Sequence, residues 1–128
     1  MMKIETLIEF IGMFGNFHTV EHLAEELTEL HHAVSTFIVK DIANKKTRSA
    51  RFDVLCEIAD VIYCSPSATQ NEPELVRSVA ARLLMIINDV FPNVTNVEFF
   101  DAITGVWVAK RVSHGLGKVA DDGQGRNS

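Results

Sequence analysis

Glu25-Glu26-Leu27-Thr28-Glu29 and, further along, Glu57-Ile58-Ala59-Asp60 decide how this chain is read. In both runs carboxylates recur at i, i+3 or i, i+4, which on an α-helix puts them on one face, one turn apart. Isolated helices disfavour such spacing, because each like-charged pair costs roughly 0.2–0.5 kcal/mol. A hard divalent cation held between two helices removes that cost. Mg²⁺ is bound through a few carboxylates together with waters and substrate phosphates, not in a closed protein cage. The spacing therefore predicts two helices whose acidic faces meet, and it points to metal-assisted chemistry on a phosphate ester or anhydride.

Outward from these runs the periodicity is helical, and no stretch alternates strictly enough to predict a strand. A short helix is expected over 2–13, ending near Gly15-Asn16. Thr19 is the expected N-cap of the second helix, which runs to about Lys40 with Val20, Leu23, Leu27, Leu30, Val34 and Ile38 as its apolar stripe. His22, Glu26 and Glu29 share a separate face beside that stripe. A third helix covers about 50–63. Cys64-Ser65-Pro66-Ser67 stops it, and Pro73 opens a fourth that runs to about Val90. A fifth starts after Asn93 or Thr95 and ends near Val112. The fold class expected is all-α: a four-helix-bundle-like core over residues 1–112 with a short N-terminal helix, followed by a flexible tail over 113–128.

The 128 residues, 47% hydrophobic, suffice for one domain with a real core. A net charge of −5 argues against general nucleic-acid binding. No apolar run approaches a membrane span, and Lys3, Glu5 and Glu9 spoil any signal-peptide core near the start. Cys56 and Cys64, separated by about 12 Å of helix rise, cannot pair with each other. The expectation is a cytoplasmic protein with reduced thiols.

The order of the motifs, Glu25-Glu26-x-x-Glu29 then Glu57-x-x-Asp60 on an all-α chain, resembles the MazG-like nucleotide pyrophosphohydrolases. Their wider superfamily includes dUTP, dCTP and phosphoribosyl-ATP pyrophosphatases. The likeness covers roughly residues 18–63. It implies hydrolysis of a nucleoside triphosphate to the monophosphate and pyrophosphate with Mg²⁺ or Mn²⁺. Carried over by position, Glu26, Glu29, Glu57 and Asp60 hold the metal, and Glu25 activates water or supports the ligands from behind. A homodimer or homotetramer is usual in that family. The third helix gives a reason of its own, since Phe52, Val54, Leu55, Ile58, Val61 and Ile62 exceed what one neighbouring helix covers. In the second half the chain departs from the pattern: Ser65-Pro66 breaks the third helix. Lys110 matches a phosphate-binding Lys, but Trp107 stands where an Asn is usual.

Substrate contacts are expected from several quarters. Lys45, Lys46, Arg48 and Arg51, with Lys40, gather five of the twelve basic residues between the acidic motifs. They answer either a triphosphate or solvent. Lys110 and Arg111 answer either phosphate or the dipole of the fifth helix. His22 lies on the carboxylate face, and Trp107 and Tyr63 are candidates for stacking on a base. Two other classes compete. A carboxylate-bridged di-iron bundle needs two Glu-x-x-His pairs, and Glu29-x-x-His32 occurs once. A non-catalytic all-α interaction module would retain the scaffold alone.

Overall fold

The structure, a computed structural model, describes the backbone of residues 2–121 and the side chains of residues 2–113. Among them are five α-helices and no strand: α1 (Ile4–Phe14), α2 (Val20–Ile42), α3 (Arg48–Tyr63), α4 (Pro73–Val90) and α5 (Asn96–Asp121), with one 3₁₀ turn at Ala68–Gln70. Local chemistry sets their starts. Thr19 Oγ1 accepts the His22 N–H at 3.0 Å and caps α2 as expected. Pro73 occupies the first turn of α4. Thr95 and Glu98 form a reciprocal capping box for α5, with bonds of 2.9 and 3.2 Å. Just past the end of α2 the chain turns at Asn44, whose φ of 58° is left-handed, a conformation Asn tolerates. The backbone of α5 passes the expected stop at Val112 and stays helical to Asp121. Gly115 and Gly117 cost only about 1 kcal/mol each in a helix, and no proline intervenes. Of the segment expected to be a flexible tail, 122–128 lie outside the described residues.

Packing centres on α3, which touches α2, α5 and α1, while α1 also packs on α4. Val54, Ile58, Ala59, Val61 and Ile62 of α3 are fully buried. Most of its wide apolar surface is thus covered by three helices of its own chain, while Phe52 stays 57% exposed. α1 is short but belongs to the core, since Leu7 and Ile11 have no exposed surface. The α2 stripe is narrower than expected. Leu23, Leu30, Ala33 and Phe37 are buried, whereas Val20 and Ile38 face solvent. The spacing of 23, 30 and 37 is the seven-residue seam of a helix packed on a single partner. The short connection after Ile42 turns α2 back along α3 as an antiparallel hairpin. One glycine has a steric role: a Cβ on Gly15 would lie 2.4 Å from the Ser65 carbonyl oxygen. That close approach lets the Asn16 N–H reach the Tyr63 carbonyl at 2.6 Å and joins the end of α1 to the end of α3.

Candidate metal centre

Burial of Leu23 and Leu30 against α3 fixes the rotation of α2 and carries Glu26 to the edge of the seam. Burial of Ile58, Val61 and Ile62 does the same for Glu57 and Asp60, one turn apart on α3. Carboxylate oxygens of Glu26, Glu57 and Asp60 lie within 4.8 Å of one another. Glu26 is 15% and Asp60 29% exposed, so the charges sit largely out of water. Glu57 Oε1 is buried and has no hydrogen-bond partner among the described residues. Leaving such an acceptor unsatisfied costs about 1–3 kcal/mol, more when it is charged.

The same burial shifts the pKa of these groups. Burial, then the charges of Asp60, Glu29 and Glu26, push Glu57 from the ordinary 4.5 to about 7. Burial, followed by Glu29 and Asp60, also raises Glu26. Three converging carboxylates with one orphaned oxygen suit a hard divalent cation, which takes oxygen ligands and relieves both burdens. The residues present therefore fit Mg²⁺ or Mn²⁺.

The other expected site residues divide sharply. Glu29 is exposed and about 60° around the helix from Glu26. It lines a groove between α2 and α3 with Asp53, Cys56 and Glu57, and it is not one of the three converging carboxylates. Glu25 is 74% exposed, with His22 Nδ1 at 3.6 Å. His22 Nε2 approaches Glu26 at 4.0 Å. Lys45, Lys46 and Arg48 are exposed at the far end of the hairpin. Sixteen helical residues separate Glu26 from Ile42, about 24 Å of rise, so these cations do not reach the acidic cluster within one chain. Arg51 stacks over the Phe37 ring at 5.3 Å instead.

Lys110 does reach it, and its Nζ pairs with Asp60 Oδ1 at 2.5 Å. Beside this pair lies a cavity of about 460 Å³ lined by Phe14, Asp60, Tyr63, Trp107, Lys110 and Arg111, a size that suits a nucleotide. Trp107 is half-buried. Its indole N–H donates to the Ala59 carbonyl at 3.2 Å, and its ring stacks on Phe10 and tilts against Phe14. The indole is thus committed to packing. Phe14 and Tyr63 are the better exposed aromatic walls, and the Tyr63 hydroxyl accepts from Asn16 Nδ2 at 3.0 Å. Phe14 escapes sequence reasoning, because it reaches the site only through the α1–α3 junction at Gly15. Cys64 escapes it too: buried at the end of α3, its thiol is pushed up to about 11 by burial and by Glu26.

No helix among the described residues is long and apolar enough to cross a membrane. Comparison of the chain with protein-family models, with curated proteins and with solved structures gives no match.

Proposed function

We propose that this chain is a metal-dependent nucleoside triphosphate pyrophosphohydrolase of the MazG-like kind, converting a (d)NTP to the (d)NMP and pyrophosphate. One observation carries the reading. Three carboxylates converge, one with a buried oxygen that has no partner among the described residues, beside a cavity of nucleotide size with aromatic and cationic walls. Glu26, Glu57 and Asp60 would hold Mg²⁺ or Mn²⁺, with Glu29 within electrostatic reach of two of them. A divalent cation there supplies Lewis acidity at the α-phosphate. Phe14 and Tyr63 receive the base, and Lys110 and Arg111 face the phosphates. As water adds to the α-phosphorus and the α–β bridging bond breaks, those two cations offset charge on the departing pyrophosphate. Glu25 would be the carboxylate that takes up the proton of the attacking water, through rotation of a side chain that is 74% exposed beside His22.

Pyrophosphate release from a panel of canonical and modified (d)NTPs and phosphoribosyl-ATP, with and without divalent cation, tests the reading. Release that depends on metal and is lost in Glu57→Gln supports it. No release from any of them with either metal overturns it. The Lys110–Asp60 pair favours a second reading, because an ammonium already neutralises one ligand. In that reading the scaffold binds nucleotide without cleaving it, and calorimetry showing binding without product would select it. The homodimer or homotetramer is likewise a proposal. Ile38, Val39, Ile42 and Phe52 are the exposed apolar residues that such copies would cover, and sedimentation at micromolar concentration checks it.

A further inference from the structure

Where α2 begins and α3 stops, a second group of donors meets. His22 nitrogen, a Glu26 oxygen and Cys64 Sγ all lie within 4.8 Å of one another. His22 and Cys64 sit at helix ends, and Glu26 lies one turn beyond His22 on α2. The His22 backbone N–H is fixed to Thr19 Oγ1 at the start of α2, and the Cys64 backbone N–H bonds the Asp60 carbonyl at 2.9 Å where α3 stops. We propose that His22, Glu26 and Cys64 form a distinct site for a borderline-soft divalent cation, zinc being the natural occupant, which shares Glu26 with the carboxylate triad.

The donor set argues for this chemistry. Mg²⁺ and Ca²⁺ take oxygen, whereas a set of nitrogen, oxygen and sulfur selects zinc and its neighbours. Bonds of about 2.0–2.3 Å in a tetrahedral site place the donors about 3.3–3.7 Å apart. Three protein ligands leave a fourth position, and it opens to solvent along His22, whose side chain is 42% exposed. Cys64 is only 6% exposed, so the same arrangement shields the thiolate from bulk oxidants. Binding is a proton-for-metal exchange: Cys64 Sγ gives up its proton to solvent as the sulfur–metal bond forms, and neutral His22 binds through its lone pair. Nothing changes oxidation state. Glu26 has two oxygens, one for each site, which couples the two centres through a single carboxylate.

Cobalt(II) titrated into the full chain without nucleotide tests the site, because thiolate ligation produces a sulfur-to-cobalt charge-transfer band in the near ultraviolet. One equivalent should saturate that band, and zinc should abolish it. The band should survive Cys56→Ser and Glu57→Gln, the latter separating this site from the hydrolase reading. It should vanish in Cys64→Ser, and cobalt should bind at least about tenfold more weakly to His22→Gln. No band in the unaltered chain, or a band that persists in Cys64→Ser, overturns the inference. Should the buried Cys64→Ser chain fail to fold, as read by circular dichroism, the half-exposed His22 decides. Unchanged cobalt affinity in His22→Gln then overturns the site, and weakened affinity with the band reduced supports it.

Discussion

The two ends of the α2–α3 hairpin carry opposite charge and fold to opposite ends of the scale of consequence. At one end Glu26, Glu57 and Asp60 are drawn together and largely out of water. At the other, Lys45, Lys46 and Arg48 crowd the start of α3, where the helix dipole is already positive and Thr47 supplies no side-chain cap. Both clusters are electrostatically unfavourable. Only the acidic one has lost its water, so only there does repulsion turn into a perturbed carboxylate and an unsatisfied oxygen. Charge density in the sequence is therefore a poor guide to a site. Charge density combined with desolvation is a good one.

Activity gives the largest test of that contrast. Removing one of the proposed ligand carboxylates, as in Glu57→Gln or Asp60→Asn, should lower kcat by at least about 100-fold, since loss of a mere supporting contact at a metal already costs 10–100-fold. Lys45→Ala, Lys46→Ala and Arg48→Ala should each stay within about twofold, as expected of solvated charges more than a Debye length from the reaction. Steady-state pyrophosphate release measures both sets. Equal losses at the two ends would break the contrast and require a second copy to bring the basic end of one chain to the acidic end of another.

Next in size is Trp107→Ala. Half-buried, stacked on Phe10 and bonded to the Ala59 carbonyl, the indole should cost roughly 3 kcal/mol when removed, read from chemical denaturation. Phe14→Ala and Tyr63→Ala should cost less stability and instead raise KM. A changed ranking among bases in Trp107→Ala at unchanged stability would reverse these roles.

What the sequence makes legible follows from helical geometry. Spacing of 26, 57 and 60 becomes convergence because 3.6-residue periodicity converts position into direction, and Thr19 and Pro73 mark helix starts through their own chemistry. Glu29 shows the limit of that logic. A rotation of about 60° suffices to move it from the triad into the adjoining groove, and no pattern in the sequence states how α2 is rotated against α3. Lys45, Lys46 and Arg48 show another limit: a residue between two motifs in sequence lies at the far end of a hairpin in space. Phe14 and Cys64 depend on the junction at Gly15 and on the stop of α3, both tertiary features.

The acidic end should also show itself in stability against pH. Glu57 has a folded pKa of about 7, above its ordinary 4.5, so between these values the folded chain holds more proton than the unfolded one. Stability from this group is therefore fully present below about pH 4.5 and is lost as pH rises through 7, an effect on the order of 1–3 kcal/mol. Melting of the metal-free chain across pH 5–8 measures it. Glu57→Gln should flatten the slope and raise Tm at pH 8. Mg²⁺ should do the same for the unaltered chain by binding the folded form. A slope unchanged in Glu57→Gln would place the titrating group elsewhere.

Lys110 gives the smallest effect and the sharpest sign. Its ammonium holds Asp60 Oδ1, yet the side chain is 45% exposed, so the pair contributes little to stability, about 1 kcal/mol at most. Its two roles in the proposed chemistry pull apart. Facing the cavity, Lys110 binds phosphate, so Lys110→Ala should raise KM about tenfold across all nucleotides irrespective of base. Holding Asp60, it competes with the divalent cation for a ligand oxygen, so the same variant should lower the Mg²⁺ concentration needed for half-maximal activity. Titrating nucleotide at saturating Mg²⁺, and then Mg²⁺ at saturating nucleotide, separates the two. Opposite shifts mean that the ammonium stands in for the cation until substrate draws it onto phosphate. If Mg²⁺ dependence is unchanged while KM rises, Lys110 is a phosphate contact only, and its bond to Asp60 does not compete with metal.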